Sequence, residues 1–434
     1  MPAFYLSSLL AFTGGHMVNY AVILYLQEKI GSDLLSGIGF GLSFGSSIVF
    51  GWFAGVLCDR IAPARVIHGA HALFLLCLAG LWWTDTAAGD TTRVAATLGS
   101  AFLGGLAWSF FGPARLATLG QIAPPERLKP ATIVFNLQVL VGFGLAPVVI
   151  GLVRSRAGWP AVFATAMGLF VVSSLLLLGT RTRSSQRPGR GVLAELAEGF
   201  GAVRANPLLL QLILAAVMAY SMTGPMQILL PKLAREVLGL SELQRGAYLG
   251  LMAFTLILGG VSALVLGRFL HHGLAILAGT AIASLFFASL SQWSSAGTSA
   301  TALAATGMLG GLVISFIVAG IQGQAPEALR GRIMSIFSII SQVVPATSGI
   351  AAGALVRSTG TTDAILVAGV GLASVAAGRR GDAGPAPHAH LSHGRLGGAH
   401  RRVHFFTSPT GLSTMSTGYT PVVRRGTATG RAST

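Results

Sequence analysis

The chain has 434 residues, of which 53% are hydrophobic and 10% charged, with a mean hydropathy of +0.72 and a formal net charge of +16. Soluble domains carry roughly 25% charged residues, so this composition excludes an ordinary soluble protein. Two cysteines, Cys58 and Cys77, are too few for a disulfide framework or a four-cysteine metal site.

Long apolar runs recur along the chain and predict about twelve membrane-spanning helices. A run of about 20 apolar residues crosses a hydrocarbon layer of about 30 Å, and only helices or closed barrels satisfy every backbone group in lipid. These runs are too long, and alternate too little, for barrel strands. We therefore predict an all-α polytopic membrane protein. In chain order, the predicted spans are residues 4–26, 35–57, 66–84, 94–119, 131–153, 160–179, 207–229, 246–266, 274–291, 301–322, 333–356 and 362–377.

The start of the chain gives no sign of a cleavable signal peptide. It lacks a basic n-region, and no small-residue cleavage pattern follows the first apolar run. The chain begins almost inside its first predicted helix, which indicates a start assigned a few residues late.

The longest polar stretch between predicted spans is residues 180–206, TRTRSSQRPGRGVLAELAEGFGAVRAN. It begins basic, with proline and glycine, and then becomes amphipathic. This pattern predicts a cytoplasmic linker followed by a helix that lies along the membrane interface. The linker divides the spans six and six, into an N-terminal half (residues 1–179) and a C-terminal half (residues 207–377).

The two predicted halves resemble one another. QIAPPERLKPATIVFN follows the fourth span and GQAPEALRGRIMSIFS follows the tenth, which places Pro125 and Pro326 201 residues apart. LGRFLHHG after the eighth span is a faint copy of LCDRIAPA after the second. Six-helix halves repeated in parallel are a known transporter plan, so we predict two pseudo-symmetric halves with a cavity between them.

The distribution of Lys and Arg predicts the orientation. Loops after even-numbered spans hold twelve of these residues and loops after odd-numbered spans hold eight. Because Lys and Arg are enriched in cytoplasmic loops, the even loops and both termini are expected in the cytoplasm. The expected location is the bacterial inner membrane, where the chain is multi-pass and contacts lipid.

The segment GVLCDRIAPAR, which begins at Gly55, places Asp59, Arg60 and Arg65 in an otherwise uncharged region. It forms the predicted cytoplasmic turn between the second and third spans, with Pro63 suited to the first turn of a helix. One interpretation is an ordinary basic loop with one compensating acid. The other is an acid that pairs with the unpaired N–H groups at a helix N-terminus.

This segment resembles the hallmark loop of the major facilitator superfamily, G-x-L-x-D-R followed by a basic residue, at the position that family uses. The resemblance extends from the first helix to about residue 377. GPARLATLGQIAPPERLKPA, at residues 112–131, resembles the end of the fourth helix in the drug-efflux branch, which includes enterobactin-type siderophore exporters.

The resemblance implies that the loop is a cytoplasmic latch. In the family the acid contacts the eleventh helix while an exporter faces outward, and the contact breaks as the halves rock. Asp59 and Arg60 match the pattern, whereas residues 62–64 replace the usual glycine and basic residues and only Arg65 remains. The latch is therefore expected to be weaker than usual.

The fifth span carries a second resemblance in GFGLAPVVIG. The antiporter motif of the superfamily ends G-x-x-x-G-P-x-x-G-G; Gly142, Pro147 and Gly151 match it, while Ala146 and Ile150 replace two glycines. Proline kinks a helix and small residues allow close packing, although both are common in membrane helices. The resemblance implies exchange, which favours export.

Protons are the expected coupling ion, but the spans hold almost no acids. His16, in the middle of the first span, titrates near neutrality and is a candidate proton carrier; the alternative is a hydrogen bond to a neighbouring helix. The arginine that proton-coupled members carry in the fourth helix has no match before Gly104 and Gly105. Arg115 lies later and is interpreted as a gate or interface residue.

Polar side chains on the first, fourth, fifth and seventh spans are the candidates for substrate binding. Each could instead be a hydrogen-bonding link between helices. Tyr220 and Gln227 are seven residues apart and are expected to share a helix face. The candidates are His16, Asn19, Trp108, Gln138, Tyr220 and Gln227.

The end of the chain, residues 378–434, has no helical period. From Arg379 onward it carries eight of the 29 basic residues and one acid. We interpret it as a disordered tail or a frameshifted end, with HAHLSH at residues 388–393 and RRVHFF as alternative metal or lipid contacts. The basic charge is therefore no argument for nucleic-acid binding.

Two classes of function follow. The first is a secondary exporter of a small organic molecule, siderophore-like or drug-like, that acts as a monomer without a cofactor. The second is a membrane enzyme or a non-transporting receptor on the same scaffold. The sequence holds no HExxH metalloprotease motif and no G-x-x-x-x-G-K-[ST] nucleotide-binding loop, so we predict no enzymatic activity and no direct use of ATP.

Overall fold

A computed structural model describes residues 1–86, 90–184, 192–267 and 272–382. Within these ranges the secondary structure is helical, which confirms the predicted fold class. The α-helices are α1 Pro2–Glu28, α2 Asp33–Arg60, α3 Pro63–Thr86, α4 Asp90–Ile122, α5 Leu128–Leu177, α6 Val192–Ala205, α7 Pro207–Ser221, α8 Thr223–Lys232, α9 Glu242–Leu266, α10 His272–Ser289, α11 Ala296–Gln324, α12 Arg330–Thr359 and α13 Thr361–Asp382.

Eleven helical stretches among the described residues are long and apolar enough to cross a membrane. The longest of them, residues 130–177, lies in α5 and bends at Gly158, where φ is +70° and ψ is −169°. Glycine is the residue that adopts this conformation without steric cost. The bend makes α5 two spans and brings the total to twelve, and one glycine replaces the loop predicted between residues 153 and 160.

The seventh span, residues 207–237, contains a one-residue break at Met222, inside the helix that the sequence predicts over residues 207–229. α7 ends at Ser221 and α8 begins at Thr223. Pro225 explains the break, because proline lacks an N–H and its ring clashes with the carbonyl four residues earlier, here that of Ser221. The neighbouring Gly224 allows α8 to touch α12, since a Cβ there would lie 2.2 Å from the Gly349 nitrogen.

Helix starts follow local capping signals in the sequence. Asn206 caps α7 by accepting hydrogen bonds from the N–H groups of Leu208 (3.0 Å) and Leu209 (3.2 Å). Ser241 and Gln244 form a capping box at the start of α9. Such caps satisfy N–H groups that have no partner inside the helix.

The predicted interfacial helix is α6, which packs on α12. Glu198 forms an ion pair with Arg332, and a Cβ on Gly199 would lie 3.1 Å from the Ile336 side chain. Phe200 is 58% exposed, and the position of α6 at the membrane interface stays a prediction.

The last helix, α13, continues to Asp382 rather than ending near Ala377 as predicted. The sequence up to that point contains no proline that would stop it, and its final charged turn does not need to lie in lipid. The HAHLSH and RRVHFF segments lie outside the described residues.

α1 is the most deeply buried span. In its most apolar 18-residue window 89% of the residues are buried, compared with 50% or less in every other candidate span. α1 therefore lies in the interior of the bundle, and its side chains are placed to line a site there.

Candidate functional site

The two halves meet most closely at one end of the bundle, where α1 ends and α2 begins. We call this end the closed end. The N-terminal half comprises the six spans from α1 to α5, and the C-terminal half comprises the six from α7 to α13. Two glycines there bring α5 and α9 together: a Cβ on Gly246 would lie 2.4 Å from the carbonyl oxygen of Pro147, and one on Gly151 would lie 2.5 Å from that of Glu242. Any larger residue would push these helices apart.

α2 and α12 form the second crossing, and the gap between them widens away from the closed end. A Cβ on Gly37 would lie 2.6 Å from the Gly349 carbonyl oxygen, one on Gly41 would lie 2.7 Å from the Ile350 side chain, and one on Gly45 would lie 3.8 Å from that of Ala346. These glycines are four residues apart and share a helix face. α2 and α12 are therefore packed most tightly at the closed end.

Glu28, the last residue of α1, is the centre of a charge network across the closed end. Its carboxylate pairs with Arg154 of its own half and with two arginines of the other half, Arg245 at 2.9 Å and Arg235 at 3.8 Å. The side chains of Glu28 and Arg245 are 10% and 14% exposed. Ion pairs this shielded from water are weakened little by screening, unlike those on an open surface.

A second set of contacts reinforces this network. Asp33 forms an ion pair with Lys232 of the other half, and Arg154 reaches Glu242 at 3.3 Å. The Gln27 amide donates a hydrogen bond of 2.8 Å to the carbonyl of Ile228. This network was not predicted from the sequence, in which the only signal is that the loops at this end carry charges of both signs.

An aromatic wall lies below the closed end on the N-terminal half. His16 packs against Trp108 and Phe143, with ring centroids 5.0 and 5.2 Å apart, and Tyr20 stacks on Phe143 at 5.8 Å. Gly15 permits this packing, because a Cβ there would lie 2.7 Å from the Trp108 ring. The wall thus brings two of the predicted substrate residues, His16 and Trp108, together.

Several polar atoms in this region have no hydrogen-bond partner. Seven buried side-chain nitrogen or oxygen atoms among the described residues lack one, and four of them belong to predicted substrate residues. Leaving such an atom unpaired costs about 1–3 kcal/mol, so each of the four would gain from a hydrogen-bond partner, although all are closed to solvent in this conformation. They are Nε2 of His16, Oδ1 of Asn19, Nε1 of Trp108 and Oε1 of Gln138.

The remaining two predicted substrate residues, Gln227 and Tyr220, lie in different surroundings. Gln227 is buried and lies close to Tyr20 of the other half. Tyr220 instead packs against Phe337, 5.8 Å away, in an apolar cluster of the C-terminal half. The expectation that they share one helix face stays a prediction, and the two side chains have different neighbours.

Arg115 is not a gate or interface residue in this structure, contrary to the sequence interpretation. It is fully buried and donates to the hydroxyls of Ser8 (2.8 Å), Ser7 (3.1 Å) and Ser173 (2.9 Å), with Nε2 of His71 at 3.2 Å. All four partners belong to the N-terminal half. The guanidinium therefore links α1, α3, α4 and the second part of α5.

The antiporter-like segment of α5 provides packing surfaces on two sides. A Cβ on Gly142 would lie 2.8 Å from the Phe12 side chain on α1, while Pro147 and Gly151 form the crossing with α9. Ala146 is fully buried. The segment thus joins the aromatic wall to the closed end.

Part of the predicted latch lies outside the described residues. Arg60 and Arg65 are exposed, whereas the side-chain positions at Gly55 and Asp59 lie outside the described residues. The latch therefore stays a prediction.

The sequence also contains one enzyme-like pattern, which the prediction of no enzymatic activity did not consider. GLSFG, which begins at Gly41, has the spacing of the G-x-S-x-G nucleophile elbow. That motif requires a sharp turn between a strand and a helix, whereas Ser43 is buried inside α2 and donates to the Ala101 carbonyl at 3.4 Å. The pattern is helix packing and not a catalytic site.

The family model of the Major Facilitator Superfamily matches residues 4–349. The chain belongs to the major facilitator superfamily. The chain is similar to Macrolide efflux protein A of Streptococcus pyogenes, with 25% identity over 227 residues. That stretch is 51% of this chain and 55% of the relative's length.

Solved structures show the same superfamily fold. A POT family transporter in complex with a thioalcohol-conjugated peptide matches with a TM-score of 0.70 and 11% identity, over 87% of this chain and 95% of that one. A bacterial homolog of the human lysosomal transporter Spinster, inward-facing and unoccupied, has a TM-score of 0.65 and 15% identity, over 87% and 90%. The nucleoside transporter NupG has a TM-score of 0.67 and 13% identity, over 87% and 99%.

Proposed function

We propose that this protein is a secondary exporter that moves a bulky amphiphilic organic molecule, siderophore-like or drug-like, across the bacterial cytoplasmic membrane in exchange for protons. The observation that carries the proposal is the group of unpartnered polar atoms in and around an aromatic wall, below the end where the halves close. The similarity to a macrolide efflux protein supports a drug-like cargo. The antiporter-like segment of α5 supports exchange.

The chemistry of the wall favours a ring-containing cargo with hydroxyl and carbonyl groups. Trp108 offers an N–H donor, Asn19 and Gln138 offer carbonyl acceptors, and His16 offers a ring nitrogen. None of the thirteen acids of the chain lies in the middle of a spanning helix. Recognition therefore rests on ring stacking and hydrogen bonds rather than on a carboxylate that pairs with a cationic cargo.

The distribution of Lys and Arg supports assigning the two ends of the bundle to the two sides of the membrane. Since the even loops are the more basic, they are cytoplasmic, and the closed end is periplasmic. The conformation described above then faces the cytoplasm, from which cargo enters. Export requires the opposite end to close and the network around Glu28 to open.

Everted membrane vesicles provide the test. With an acid lumen, vesicles that contain the protein are expected to accumulate a radiolabelled macrolide or a catecholate siderophore above the level of empty vesicles. Collapsing the pH gradient is expected to release the probe, and Trp108→Ala is expected to abolish the accumulation. If no probe of either class accumulates under a gradient, the proposed function is wrong.

The latch gives a separate prediction. Asp59→Asn keeps the shape of the side chain and removes its charge, so it is expected to lower the export rate several-fold while expression stays normal. Charge contacts at a helix terminus are worth about 0.3–2 kcal/mol, which is enough to shift a balanced two-state equilibrium. The rate is compared with that of Asp85→Asn, a matched change at the closed end whose partner Lys29 lies in the same half. Equal rates in both variants and the wild type would show that the loop is only a solvated turn.

A further inference from the structure

We infer that Arg115 binds a small monovalent anion, of the size and charge of chloride, inside the N-terminal half. The inference goes beyond the proposed function and does not depend on the cargo. It begins from a charge that the fold buries. Among the described residues, Arg115 is the only Asp, Glu, Lys or Arg that is buried, with an exposure of 0%. Buried charges in proteins are normally paired, because an unpaired one is costly.

The polar neighbours of the guanidinium accept its hydrogen bonds but supply no negative charge. Ser7, Ser8 and Ser173 accept through their hydroxyl oxygens. An arginine can only donate, so His71 accepts at Nε2 and carries its proton at Nδ1, which lies 2.6 Å from the Ser174 hydroxyl. The imidazole is therefore neutral, and the positive charge stays unbalanced by these partners.

One donor of the guanidinium remains open. Nε of Arg115 is buried and has no hydrogen-bond partner. The ring centroids of Phe111 and Phe4 lie 4.7 and 5.9 Å from the guanidinium carbon. Such rings attract a cation, but they carry no net charge. A water molecule would satisfy the open N–H without balancing the charge, whereas one anion does both.

The surroundings favour a monovalent, monatomic anion. Four helical segments converge on the guanidinium, from α1, α3, α4 and the second part of α5. A phosphate or a sulfate would bring two negative charges against one positive charge, and its several oxygens would each need a donor. A halide needs only the open N–H and one positive charge.

The C-terminal half provides an internal comparison. Gly105 of α4 and Gly307 of α11 are 202 residues apart and have the same role: a Cβ on each would lie 2.6 and 2.8 Å from a carbonyl oxygen of α2 and α9, respectively. The same offset places Ile317 at the position of Arg115. Ile317 is 1% exposed and lies in an apolar cluster with residues of α7 and α10. A six-helix half therefore closes at this position without a buried cation, so packing alone does not require Arg115.

The site lies near the end of the bundle opposite the closed end. Arg115 precedes Ile122, the last residue of α4, by seven residues, which corresponds to about 10 Å along the helix axis. In the proposed orientation this is the cytoplasmic side, from which the anion enters. Phe111, which lies under the guanidinium, also packs against Trp108 at 5.5 Å. The anion site therefore adjoins the aromatic wall.

The first test measures the melting temperature of the purified full-length protein while chloride replaces gluconate at constant ionic strength. A ligand that binds only the folded state stabilises it, so we expect a saturable rise of about 2–4 °C. Arg115→Met is expected to fold, because an aliphatic side chain occupies the equivalent position of the other half, and to lose the rise. Ser109→Ala is the matched control at another buried serine of α4, which donates to the Gly105 carbonyl at 2.9 Å, and it is expected to keep the rise.

Two results of this titration would overturn the inference: no rise in the wild type, or an equal rise in Arg115→Met. If Arg115→Met does not fold, Arg115→Lys decides. Lysine keeps the charge but lacks the planar fork of donors, so the chloride concentration that gives half of the rise is expected to increase several-fold. An unchanged concentration would contradict a site at the guanidinium.

The second test locates the anion and needs no variant. Crystals of the wild-type protein grown with bromide in place of chloride are expected to show an anomalous scattering peak in contact with Nε of Arg115. Peaks confined to the protein surface would mean an adventitious ion only and would overturn the inference. Neither test uses a cargo, so failure here leaves the proposed function untouched, and failure of export leaves the anion site untouched.

Discussion

Gly246→Leu is expected to abolish export. The closed end forms because α5 and α9 cross at Gly151 and Gly246, and a Cβ on Gly246 would already lie 2.4 Å from the Pro147 carbonyl oxygen. This neighbour is backbone and cannot swing aside. Overpacking of this kind costs about 1–3 kcal/mol, and a difference of that size shifts a two-state equilibrium by about 5–150-fold. The variant should therefore fold with the closed end held open.

Gly168→Leu is the matched control for this substitution. It places the same side chain inside α5 of the N-terminal half, at an exposed glycine where an added Cβ would meet no neighbouring atom within 4 Å. Export of a labelled probe is measured in both variants at equal expression. Normal export by Gly246→Leu would show that α5 and α9 do not need to meet during transport.

Glu28→Gln is expected to open the closed end without disturbing the helices. The substitution leaves the shape of the side chain but removes the charge that holds Arg154, Arg235 and Arg245. Breaking a buried ion pair costs about 3–5 kcal/mol, and the partial exposure of Arg235, 29%, reduces that cost. We expect a population shift of about tenfold or more toward the state in which the closed end is open.

Spin labels measure this shift directly. The chain has two cysteines, so a background with Cys58→Ser and Cys77→Ser can carry one label in each half at exposed positions of the closed end, Ser155 and Ser294. Glu28→Gln should lengthen the distance between the labels. Asp85→Asn removes a carboxylate at the same end that pairs with Lys29 at 3.6 Å within one half, and it should leave the distance unchanged. Equal distances in the two variants would mean that Glu28 does not hold the halves together.

The spans could be predicted from the sequence because lipid imposes a strong constraint: every backbone group must be paired inside a helix. Deviations occur where a single residue changes the backbone. Gly158 turns a predicted loop into a bend within α5, and Pro225 divides a predicted helix into α7 and α8. Both residues are visible in the sequence, but their effect depends on neighbouring helices.

The candidate site could be predicted only in part. The sequence indicates polar residues in apolar helices, and the structure places His16, Trp108 and Gln227 near one another. The sequence does not indicate which of these residues face each other. Tyr220, for example, packs in a separate cluster. The network at the closed end is harder to predict, because Glu28 and Arg245 are 217 residues apart in the sequence. A pairing at that separation has no local signature.

The most direct test of the account is whether the two ends of the bundle move in opposite directions. A label pair at Ser155 and Ser294 reports on the closed end, and a pair at Arg127 and Glu327, exposed positions in the repeated loops after the fourth and tenth spans, reports on the other. Both distances are measured by pulsed electron paramagnetic resonance in the wild type and in Glu28→Gln. Alternating access predicts that Glu28→Gln lengthens the first distance and shortens the second. Two distances that stay constant, or that lengthen together, would contradict the proposal that this protein carries its cargo by rocking two halves about the aromatic wall.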